Sequence, residues 1–576
     1  MSTTPTLRPV HSLDGLWNFA FLGEIDLAAF TPHAIGFPFE KVPVPSAFDA
    51  LPAWAGKRGA AVYRTTFAVP PGHPAQLQFG AVSLWSRVYV DGQSLHENAC
   101  GYAPFRVAVP PAARAERELL VLVDNRFDFE RVPMHEHYFD FYQYGGILRS
   151  VALRVLPVAA PYLEHVLVSP TDHYRAGEIE LALHFGGIKN GESRVALAFD
   201  DQSATSVFTL PVADGRAVTT VRVPAPRLWS PNAPALHTVR VTLHPVGADA
   251  AVDDMTVRFG LRRIEARDGH LWLNGEMLRL RGYNRHEWHP NFGPCTPTLQ
   301  MYADIQLLQD LGCNFVRGSH YQQDQRFLDL CDELGLLVWE ENLGWGQRER
   351  TFASEKFQRD HRVALEAMLL HSYNHPSVIL WGFLNEAGTD ADYVRPVFEE
   401  SAALIRALDP RRPLTYASMF ALTDRHYDLA DVISLNLYPG WYNCEDHPRP
   451  LELVRPHLAA CFDHIDRAGF AAKPVLVSEI GAEGLYGWHD AHHDFFTEEY
   501  QAAYLTEACA AALGHPRCSG IALWHFSDAR TYSGCRAMRR PRTYNNKGTF
   551  DEYRRPKLAA AAVRAAFRTT RGPAGI

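Results

Sequence analysis

Apolar and polar positions alternate with a period of two along the first 259 residues, the pattern of β-strands that cover a core with one face. The segments AVYRTTFAVP, QLQFGAVSLWSRVYVDG and ELLVLVDNR show this alternation, and Pro, Gly and Asp-Gly separate them. After the proline-interrupted stretch RVLPVAAPYLEHV, the shorter segments EIELALHF, SRVALAFD, AVTTVRVP and HTVRVTLHP repeat the pattern. We therefore predict two β-sandwiches, over residues 1–158 and 159–259.

From residue 260 onward the pattern changes to short continuous apolar runs, separated by longer stretches such as TLQMYADIQLLQDLG with helical periodicity. The eight runs are MLRLRGYN, NFVRGSH, LLVWEEN, VILWGFLNE, LTYASM, DVISLNLY, PVLVSEIG and GIALWHFSD. Continuous apolar runs are typical of parallel strands, because helices cover both faces of a parallel sheet. Eight such strands with helical crossovers predict a (β/α)8 TIM barrel over residues 260–576, and a multidomain β plus α/β fold class overall.

Two glutamates stand where apolar runs end. The fourth run ends in Asn385-Glu386, and the seventh contains Glu479 near its end. The carboxyl ends of barrel strands form the catalytic face, so both carboxylates are expected there. A pair of carboxylates about 5–5.5 Å apart is the machinery of retaining glycoside hydrolysis. The alternative is that each glutamate only forms a structural ion pair at the rim.

Other strand ends supply polar and aromatic side chains to the same face. An arginine beside the attacking carboxylate keeps it ionised, a tyrosine hydroxyl can donate to it, and a tryptophan suits the face of a sugar. The candidates are Arg317 and His320 after the second run, Asn436, Tyr438, Trp441 and Tyr442 after the sixth, and Trp524 in the eighth. The histidine-containing stretches HEWH and HDAHH do not match the HExxH spacing of a zinc site, so we predict no metal.

These motifs resemble those of glycoside hydrolase family 2, and within it the β-glucuronidases. RGYNRHEWHPNFG, FVRGSHY and HPSVILWGFLNE are similar to the signatures of that family's barrel, and SEIGAEGLYGWH with FTEEYQAAYL is similar to the β-glucuronidase nucleophile region. FDFYQYGGILRSVALRVLP is similar to the end of the family's jelly-roll domain. The resemblance implies an N-terminal jelly-roll sandwich, an immunoglobulin-like sandwich and a catalytic barrel.

The resemblance also implies roles for individual residues. Glu386 becomes the acid/base and Glu479 the nucleophile, while Tyr438 hydrogen-bonds the nucleophile. Asn385 is expected to bind the sugar 2-hydroxyl, and Asp140 to reach the glycone hydroxyls from the first domain. The remaining pocket residues that it implies are His320, Asn436, Tyr442 and Trp524. Glu483, four residues past the nucleophile, is expected to be a loop carboxylate without a role in the site.

The stretch YNNKGTF near the C-terminus carries Asn545 and Lys547 on either side of Asn546. Read alone, it is a turn with a solvated lysine. β-Glucuronidases have an Asn-x-Lys motif after the eighth strand that grips the sugar carboxylate, and the resemblance gives this role to Asn545 and Lys547. An ammonium and an amide can make charge-assisted hydrogen bonds to a uronic acid, which carries a carboxylate at C6. Asn546 is expected to be only a spacer.

The chain departs from the family pattern at two places. The segment WEENLGWGQ after the third strand lacks the acidic-Thr-His stretch that binds magnesium in the β-galactosidases of the family. The loop RRPRTYNNKG is longer than its counterpart in the familiar β-glucuronidases, so the pocket wall is expected to differ. The first departure speaks against a magnesium-dependent galactosidase.

Charge, cysteine content and hydrophobicity limit the classes of partner and the cellular location that we expect. A net charge of −9 argues against general nucleic-acid binding, which needs a basic field. The nine cysteines are scattered without a CxxC pair, which indicates reduced thiols. The start MSTTPTLRPVHSLDGLWNF lacks the features of a secretory signal, and no apolar run reaches the ~18 residues of a membrane span. We expect a cytoplasmic protein without nucleic-acid or membrane partners; the resemblance implies a homo-oligomer.

The sequence thus predicts a retaining exo-β-uronidase without cofactor, acting on a small glycoside or oligosaccharide with a terminal β-uronic acid. β-Glucuronides are the first expectation. β-Galacturonides are the close alternative, because the two sugars differ only at C4. A neutral-sugar β-galactosidase or β-mannosidase, and a catalytically silent carbohydrate-binding protein, remain open.

Overall fold

The computed structural model describes residues 7–8, 10–32, 38–200, 206–247, 249–444, 446–532 and 540–569. It contains two compact units. The first comprises residues 1–126, 145–262 and 370–376, and the second comprises residues 127–144, 263–369 and 377–576.

The first unit begins with antiparallel strands in sheets of four, six and three strands, ordered β1-β13-β6-β10, β3-β2-β5-β11-β8-β9 and β4-β12-β7. These strands are β1 Val10–Ser12, β2 Gly15–Gly23, β3 Glu40–Val44, β4 Ser46–Ala47, β5 Ala60–Ala68, β6 Ala75–Phe79, β7 Val82–Ser83, β8 Trp85–Val90, β9 Gln93–Asn98, β10 Phe105–Val109, β11 Glu116–Asp124, β12 Gly146–Ile147 and β13 Val151–Val155. Alternate residues of these strands, among them Trp17, Phe19, Tyr63 and Val121, form one buried core.

A second group of antiparallel strands in the same unit forms sheets ordered β14-β15-β18 and β17-β16-β21-β22, with β19 and β20 as a separate pair. The strands are β14 Tyr162–Pro170, β15 Glu178–Gly186, β16 Gly191–Phe199, β17 Ser206–Val212, β18 Arg216–Arg222, β19 Trp229–Ser230, β20 Ala233–Pro234, β21 His237–His244 and β22 Asp253–Phe259. Their inward residues, such as Leu181, Val195 and Val241, form a core of their own. The period-two pattern predicted this arrangement.

The second unit contains a closed barrel of eight parallel strands, β26 to β33, in sequence order. A small antiparallel sheet of β23 Ile264–Arg267, β24 His270–Leu273 and β25 Glu276–Leu278 precedes it. The barrel strands are β26 Leu280–Arg285, β27 Phe315–Gly318, β28 Leu337–Glu341, β29 Val378–Asn385, β30 Leu414–Ser418, β31 Ile433–Asn436, β32 Val475–Ile480 and β33 Cys518–Leu523. A short pair, β34 Ala529–Arg530 and β35 Tyr544–Asn545, follows them. Every residue of β27 to β33 is buried, which explains the continuous apolar runs of the sequence.

Helices lie between most of the barrel strands, although the described residues between β30 and β31 form none, and the last helix follows the last barrel strand. They are α1 Thr298–Leu311, α2 Gln325–Leu334, α3 Glu349–Phe352, α4 Glu355–Ser372, α5 Arg395–Leu408, α6 Val454–Ile465, α7 Glu498–Gly514 and α8 Leu558–Thr569. The Asp324 side chain caps α2 by accepting the Arg326 N–H, and Thr497 caps α7 by accepting the Tyr500 N–H. Gly312 and Gly335 end α1 and α2 in the left-handed conformation that favours glycine.

The predicted class, β-rich N-terminal parts followed by a C-terminal (β/α)8 barrel, is confirmed. The boundaries at 158/159 and 259/260, and the jelly-roll and immunoglobulin-like labels, stay predictions. The segment 127–144, which we assigned to the first domain, belongs to the unit that contains the barrel. Among the described helices, none has the length and apolar character that crossing a membrane requires.

Candidate active site

The predicted catalytic residues converge on the carboxyl-terminal end of the barrel. Arg317 lies in β27, Glu341 ends β28, Asn385 ends β29 with Glu386 next to it, and Glu479 lies in β32. All of these side chains are buried. A closed parallel barrel brings the ends of distant strands onto one face, so residues up to 162 positions apart along the chain are in direct contact.

Glu479 accepts two short hydrogen bonds. The Tyr438 hydroxyl donates to its Oε2 at 2.7 Å, and Arg317 Nη1 donates to its Oε1 at 2.8 Å. Arg317 also binds Glu341 through two nitrogens, at 2.9 and 3.0 Å, which holds the guanidinium in one orientation. The guanidinium on one oxygen and the phenol on the other orient the carboxyl group and favour its charged form, the form that attacks a carbon.

Glu386 is held by its side chain and by its backbone. Asn436 Nδ2 donates to Glu386 Oε1 at 2.9 Å and also lies 2.9 Å from Asn385 Oδ1. Arg348 Nη1 donates to the Glu386 carbonyl at 2.7 Å, and the backbone of Glu386 has a φ of +51°, which an L-residue rarely adopts. Backbone strain of this kind is found where the surrounding structure fixes a functional residue.

The two glutamates influence each other. Burial, and then the neighbouring carboxylate of Glu386, raise the pKa of Glu479 to about 8, although Arg317 and Tyr438 oppose this shift. Two carboxyl groups in such a site share one proton around neutral pH, and the titration belongs to the pair. Since Glu479 receives the guanidinium and the phenol, we place the anion on Glu479 and the shared proton on Glu386.

His320 lies beside this pair as a neutral ring. Burial, with Arg317 adding to it, lowers its pKa well below the usual value. Its Nδ1 is 2.9 Å from Glu341, and its ring stacks on Trp524 with 5.0 Å between centroids. Around this pair, His320 Nε2 and Asn385 Nδ2 are buried and form no hydrogen bond with the described residues, and His320 Nε2 lies 3.7 Å from Glu479 Oε1. Both are free to bind a ligand hydroxyl.

The Lys547 ammonium is enclosed by aromatic rings. It donates to the Tyr442 hydroxyl at 2.8 Å and to Glu483 Oε1 at 3.3 Å. It also lies 4.8 Å from the ring centroid of Tyr442, 5.4 Å from that of Trp441 and 5.7 Å from that of Tyr438. Lys547 is buried, so the solvated lysine of an ordinary turn is excluded. An ammonium among ring faces, with one of its three N–H donors uncommitted, can bind an anion.

Asn545 and Asp140 meet in the same region. Asn545 Nδ2 donates to Asp140 Oδ2 at 2.9 Å, and Thr531 and Arg540 also donate to this carboxylate. Burial opposes the charge on Asp140, but Arg540 and Lys547 outweigh it and hold its pKa below the ordinary value. Four accepted hydrogen bonds occupy all the lone pairs of Asp140. The direct contact of Asp140 with glycone hydroxyls, which the resemblance implies, stays a prediction; in the structure Asp140 accepts hydrogen bonds from its neighbours.

Sequence reasoning missed three contributors to this region. Glu483, expected to be without a role, is buried and bound to Lys547 and Arg540. Asn546, expected to be a spacer, is buried and donates to Glu483 at 3.1 Å. Arg540 lies in the long loop RRPRTYNNKG, and the extra length of that loop was the only signal for it. Of the histidines in HDAHH, His489 pairs with Glu499 at 2.8 Å on the surface.

The shared proton predicts the alkaline limit of activity. Because the pKa of Glu479 is raised to about 8, the pair keeps its proton through neutral pH and loses it as the pH rises through 8. We expect kcat/KM to fall about tenfold per pH unit above that value, since the acid then has no proton to give. A pH profile of kcat/KM for the wild type and for Glu386→Gln measures this. The variant should lack the alkaline limb, and an alkaline limb that persists in the variant would contradict the assignment.

Comparison with known proteins agrees with this geometry. A family model described as "Glycosyl hydrolases family 2, TIM barrel domain" matches residues 264–570, and one described as "Glycosyl hydrolases family 2" matches residues 163–262. The β-glucuronidases of Streptococcus agalactiae serotype V and Homo sapiens are each 27% identical to this chain, over 96% and 97% of it and 94% and 90% of their own lengths.

Solved structures of other proteins are also similar to nearly the whole of this chain. The GH2 β-galacturonidase from Eisenbergiella tayi bound to galacturonate has 33% identity and a TM-score of 0.87, over 98% of this chain and 99% of that one. The Bifidobacterium dentium β-glucuronidase complexed with coumarin-3-O-glucuronide has 27% identity and a TM-score of 0.85, over 98% of each chain. The chain is a glycoside hydrolase and belongs to glycosyl hydrolase family 2.

Proposed function

We propose that this enzyme is a retaining exo-β-uronidase, which removes a terminal β-uronic acid from a glycoside. The observation that carries this proposal is the buried Lys547 ammonium, held among three aromatic rings with Asn545 two residues away. A neutral hexose presents a hydroxymethyl group at C6 and makes no use of a buried charge. A uronic acid presents a carboxylate there, which pairs with the ammonium through charge-assisted hydrogen bonds.

The site residues support a double displacement. Glu386 gives its proton to the glycosidic oxygen as the bond from that oxygen to the anomeric carbon breaks, and an oxygen of Glu479 bonds to the carbon from the opposite face. The aglycone leaves as an alcohol. In the second step Glu386, now a carboxylate, takes a proton from water, the water oxygen bonds to the anomeric carbon, and the bond to Glu479 breaks. Two inversions at one carbon give net retention.

β-Glucuronides are the first substrate of this proposal. The curated relatives that match this chain over 96–97% of its length are β-glucuronidases. β-Galacturonides are the second candidate, because the structure with 33% identity is a β-galacturonidase bound to galacturonate. The carboxylate at C6 is common to both sugars, so the Lys547 site serves either, and only contacts to the C4 hydroxyl separate them.

A panel of chromogenic glycosides tests the proposal. The aryl β-glucuronide, β-galacturonide and β-galactoside should be compared by kcat/KM with the wild-type enzyme. We expect one of the two uronides to be hydrolysed at least 10²-fold more efficiently than the galactoside, which corresponds to about 3 kcal/mol of transition-state binding. Equal rates on the uronide and the galactoside would contradict a uronidase, and a faster galactoside would favour the neutral-sugar alternative.

Lys547→Ala tests the residue that carries the proposal. Removing one partner of a buried charge pair costs roughly 3–5 kcal/mol, because the other charge stays buried and unpaired. We therefore expect kcat/KM for the uronide to fall by roughly 10²–10³-fold, while slow hydrolysis of the neutral glycoside changes little. The measured quantity is the uronide-to-hexoside ratio of kcat/KM.

Lys473→Ala is the matched control. Its ammonium is likewise held by hydrogen bonds, of 2.7, 3.0 and 2.6 Å to the carbonyls of Tyr427, Asp428 and Ala430, but Lys473 precedes β32 and lies at the other end of the strand. This variant should lose stability and keep the substrate ratio. An unchanged ratio in Lys547→Ala would mean that Lys547 does not bind the sugar carboxylate.

A further inference from the structure

Lys547 belongs to a cluster of four buried charges, two positive and two negative: Lys547, Arg540, Glu483 and Asp140. Arg540 occupies the centre. Its Nε and Nη2 donate to Asp140 at 3.0 and 2.6 Å, and its Nη1 donates to Glu483 at 2.5 Å. Lys547 adds a longer contact to the same oxygen of Glu483, at 3.3 Å. The four charges sum to zero.

The neutrality of this cluster matters for an anionic ligand. A sugar carboxylate that binds Lys547 adds a negative charge to a buried group that is already balanced. It also competes with Glu483 for the charge of the ammonium: one donor of Lys547 is uncommitted, but two carboxylates would then share a single cation. The site therefore needs a way to release Lys547 from Glu483 without leaving Glu483 buried and unpaired.

The position of Arg540 allows it to remain bound to Glu483 when Lys547 binds a ligand. Its contact to Glu483 Oε1 is 2.5 Å long and that of Lys547 is 3.3 Å, and its planar fork can serve both carboxylates at once. The other groups that face Glu483 are neutral: the backbone N–H of Asn546 at 3.4 Å and its Nδ2 at 3.1 Å. Arg540 is thus the one charged group among the described residues that can hold Glu483 when Lys547 turns to a ligand.

We propose that Glu483 pairs with Lys547 in the free enzyme, in the place of the sugar carboxylate, and that Arg540 is the positioning residue that keeps Glu483 in place when a uronate binds Lys547. This inference rests on the proposed uronidase function and extends it to two further residues. In the free enzyme Glu483 balances and orients the ammonium. In the complex the uronate pairs with Lys547, and Arg540 remains the ionic partner of Glu483 and Asp140.

The test is a double-mutant cycle on Arg540 and Glu483, read as KM and kcat for the uronide and for the neutral hexoside. In Arg540→Gln, Glu483 has only Lys547 as a charged partner and competes with the substrate. KM for the uronide should therefore rise by roughly 10–10²-fold, with a smaller change in kcat and in hexoside hydrolysis. In Glu483→Gln the competitor is neutral, and KM for the uronide should equal the wild-type value or fall below it.

The double variant Arg540→Gln/Glu483→Gln carries the decisive outcome. Removing the competitor should restore the KM for the uronide to within about tenfold of the wild-type value, a coupling that independent sites do not show. Arg540→Lys, with Arg540→Lys/Glu483→Gln, serves if Arg540→Gln does not fold. Arg555→Gln is the matched control: it makes the same change on an exposed side chain that pairs with Asp551, and it should leave both substrates unaffected.

Two results would overturn the inference. If Glu483→Gln raises KM as much as Arg540→Gln does, and the double variant is no better than either, the two residues only support the fold or bind the sugar directly. If the wild-type enzyme shows no preference for uronides, the proposed function fails, and this inference fails with it. A wild-type preference with no rescue in the double variant removes the inference alone.

Discussion

Glu479→Ala should lose nearly all activity, by roughly 10⁴–10⁶-fold in kcat, the scale on which loss of a covalent nucleophile acts. The loss is expected because Glu479 is the carboxylate that Arg317 and Tyr438 orient, at 2.8 and 2.7 Å. No other carboxylate among the described residues has this pair of donors. Without the nucleophile, the remaining groups can protonate the aglycone but cannot form the glycosyl-enzyme bond.

Two further measurements separate the loss of a nucleophile from a loss of folding. Azide or formate, which are small anions that fit the space of the missing carboxylate, should partly restore turnover of an activated aryl glycoside and give a product of inverted configuration. A fluoro-glycoside that traps the covalent intermediate should label Glu479 in the wild-type enzyme. Labelling of Glu341 or Glu483 would overturn the assignment. These two are the alternatives because both are buried beside a cation, Glu341 beside Arg317 and Glu483 beside Lys547.

Much of the site follows from the sequence because a parallel barrel converts strand order into position. The apolar runs mark the strands, and the polar residue at the end of each run must lie on one face. Glu386, Glu479, Arg317 and Asn436 were placed in this way, and the structure brings them together. To predict that these residues lie on one face of the barrel, only the position of each at the end of its strand was needed.

The rest depends on contacts that no local pattern encodes. Glu483 lies four residues beyond Glu479 in a loop, and its partners Arg540 and Lys547 are 57 and 64 residues farther along the chain. Burial of a carboxylate is stable only when such partners exist, so its role cannot be read before the loop of residues 540–547 is placed. The role of Asp140 is equally hidden in the sequence, because its partner Arg540 is 400 residues away.

The strained backbone at Glu386 was also invisible in the sequence. NEAG suggests an ordinary strand-to-loop transition, yet Glu386 has a positive φ and its carbonyl is bound by Arg348. Arg348 follows the third strand, in the segment WEENLGWGQR, where the sequence showed only the lack of a magnesium-binding histidine. The residue that orients the acid/base therefore comes from a neighbouring strand end, and only the three-dimensional arrangement relates the two.

Glu386→Gln should separate substrates by the quality of their leaving groups. Glutamine has the shape of glutamate, and its Oε1 can still accept the bond from Asn436 that is 2.9 Å long in the wild-type enzyme, so the site should keep its geometry. What is lost is the proton. Alkyl glycosides need that proton and should be hydrolysed roughly 10²–10⁴-fold more slowly, the usual contribution of a general acid.

The aglycone of an activated aryl glycoside leaves as a stable phenolate and needs no proton in the first step. The first-step rate constant for these substrates should therefore change by less than about tenfold. The measurement is kcat/KM across a series of aryl and alkyl uronides, plotted against the pKa of the leaving group: the wild-type line should be shallow and the variant line steep. Asn436→Ala is the companion variant. It leaves the carboxyl group of Glu386 in place and should lower kcat/KM for all substrates to a similar extent. Parallel lines for the wild type and Glu386→Gln would show that Glu386 donates no proton to the leaving group. Separately, if proton NMR of the wild-type reaction shows a first product of inverted configuration, the mechanism is a single displacement and not a double one.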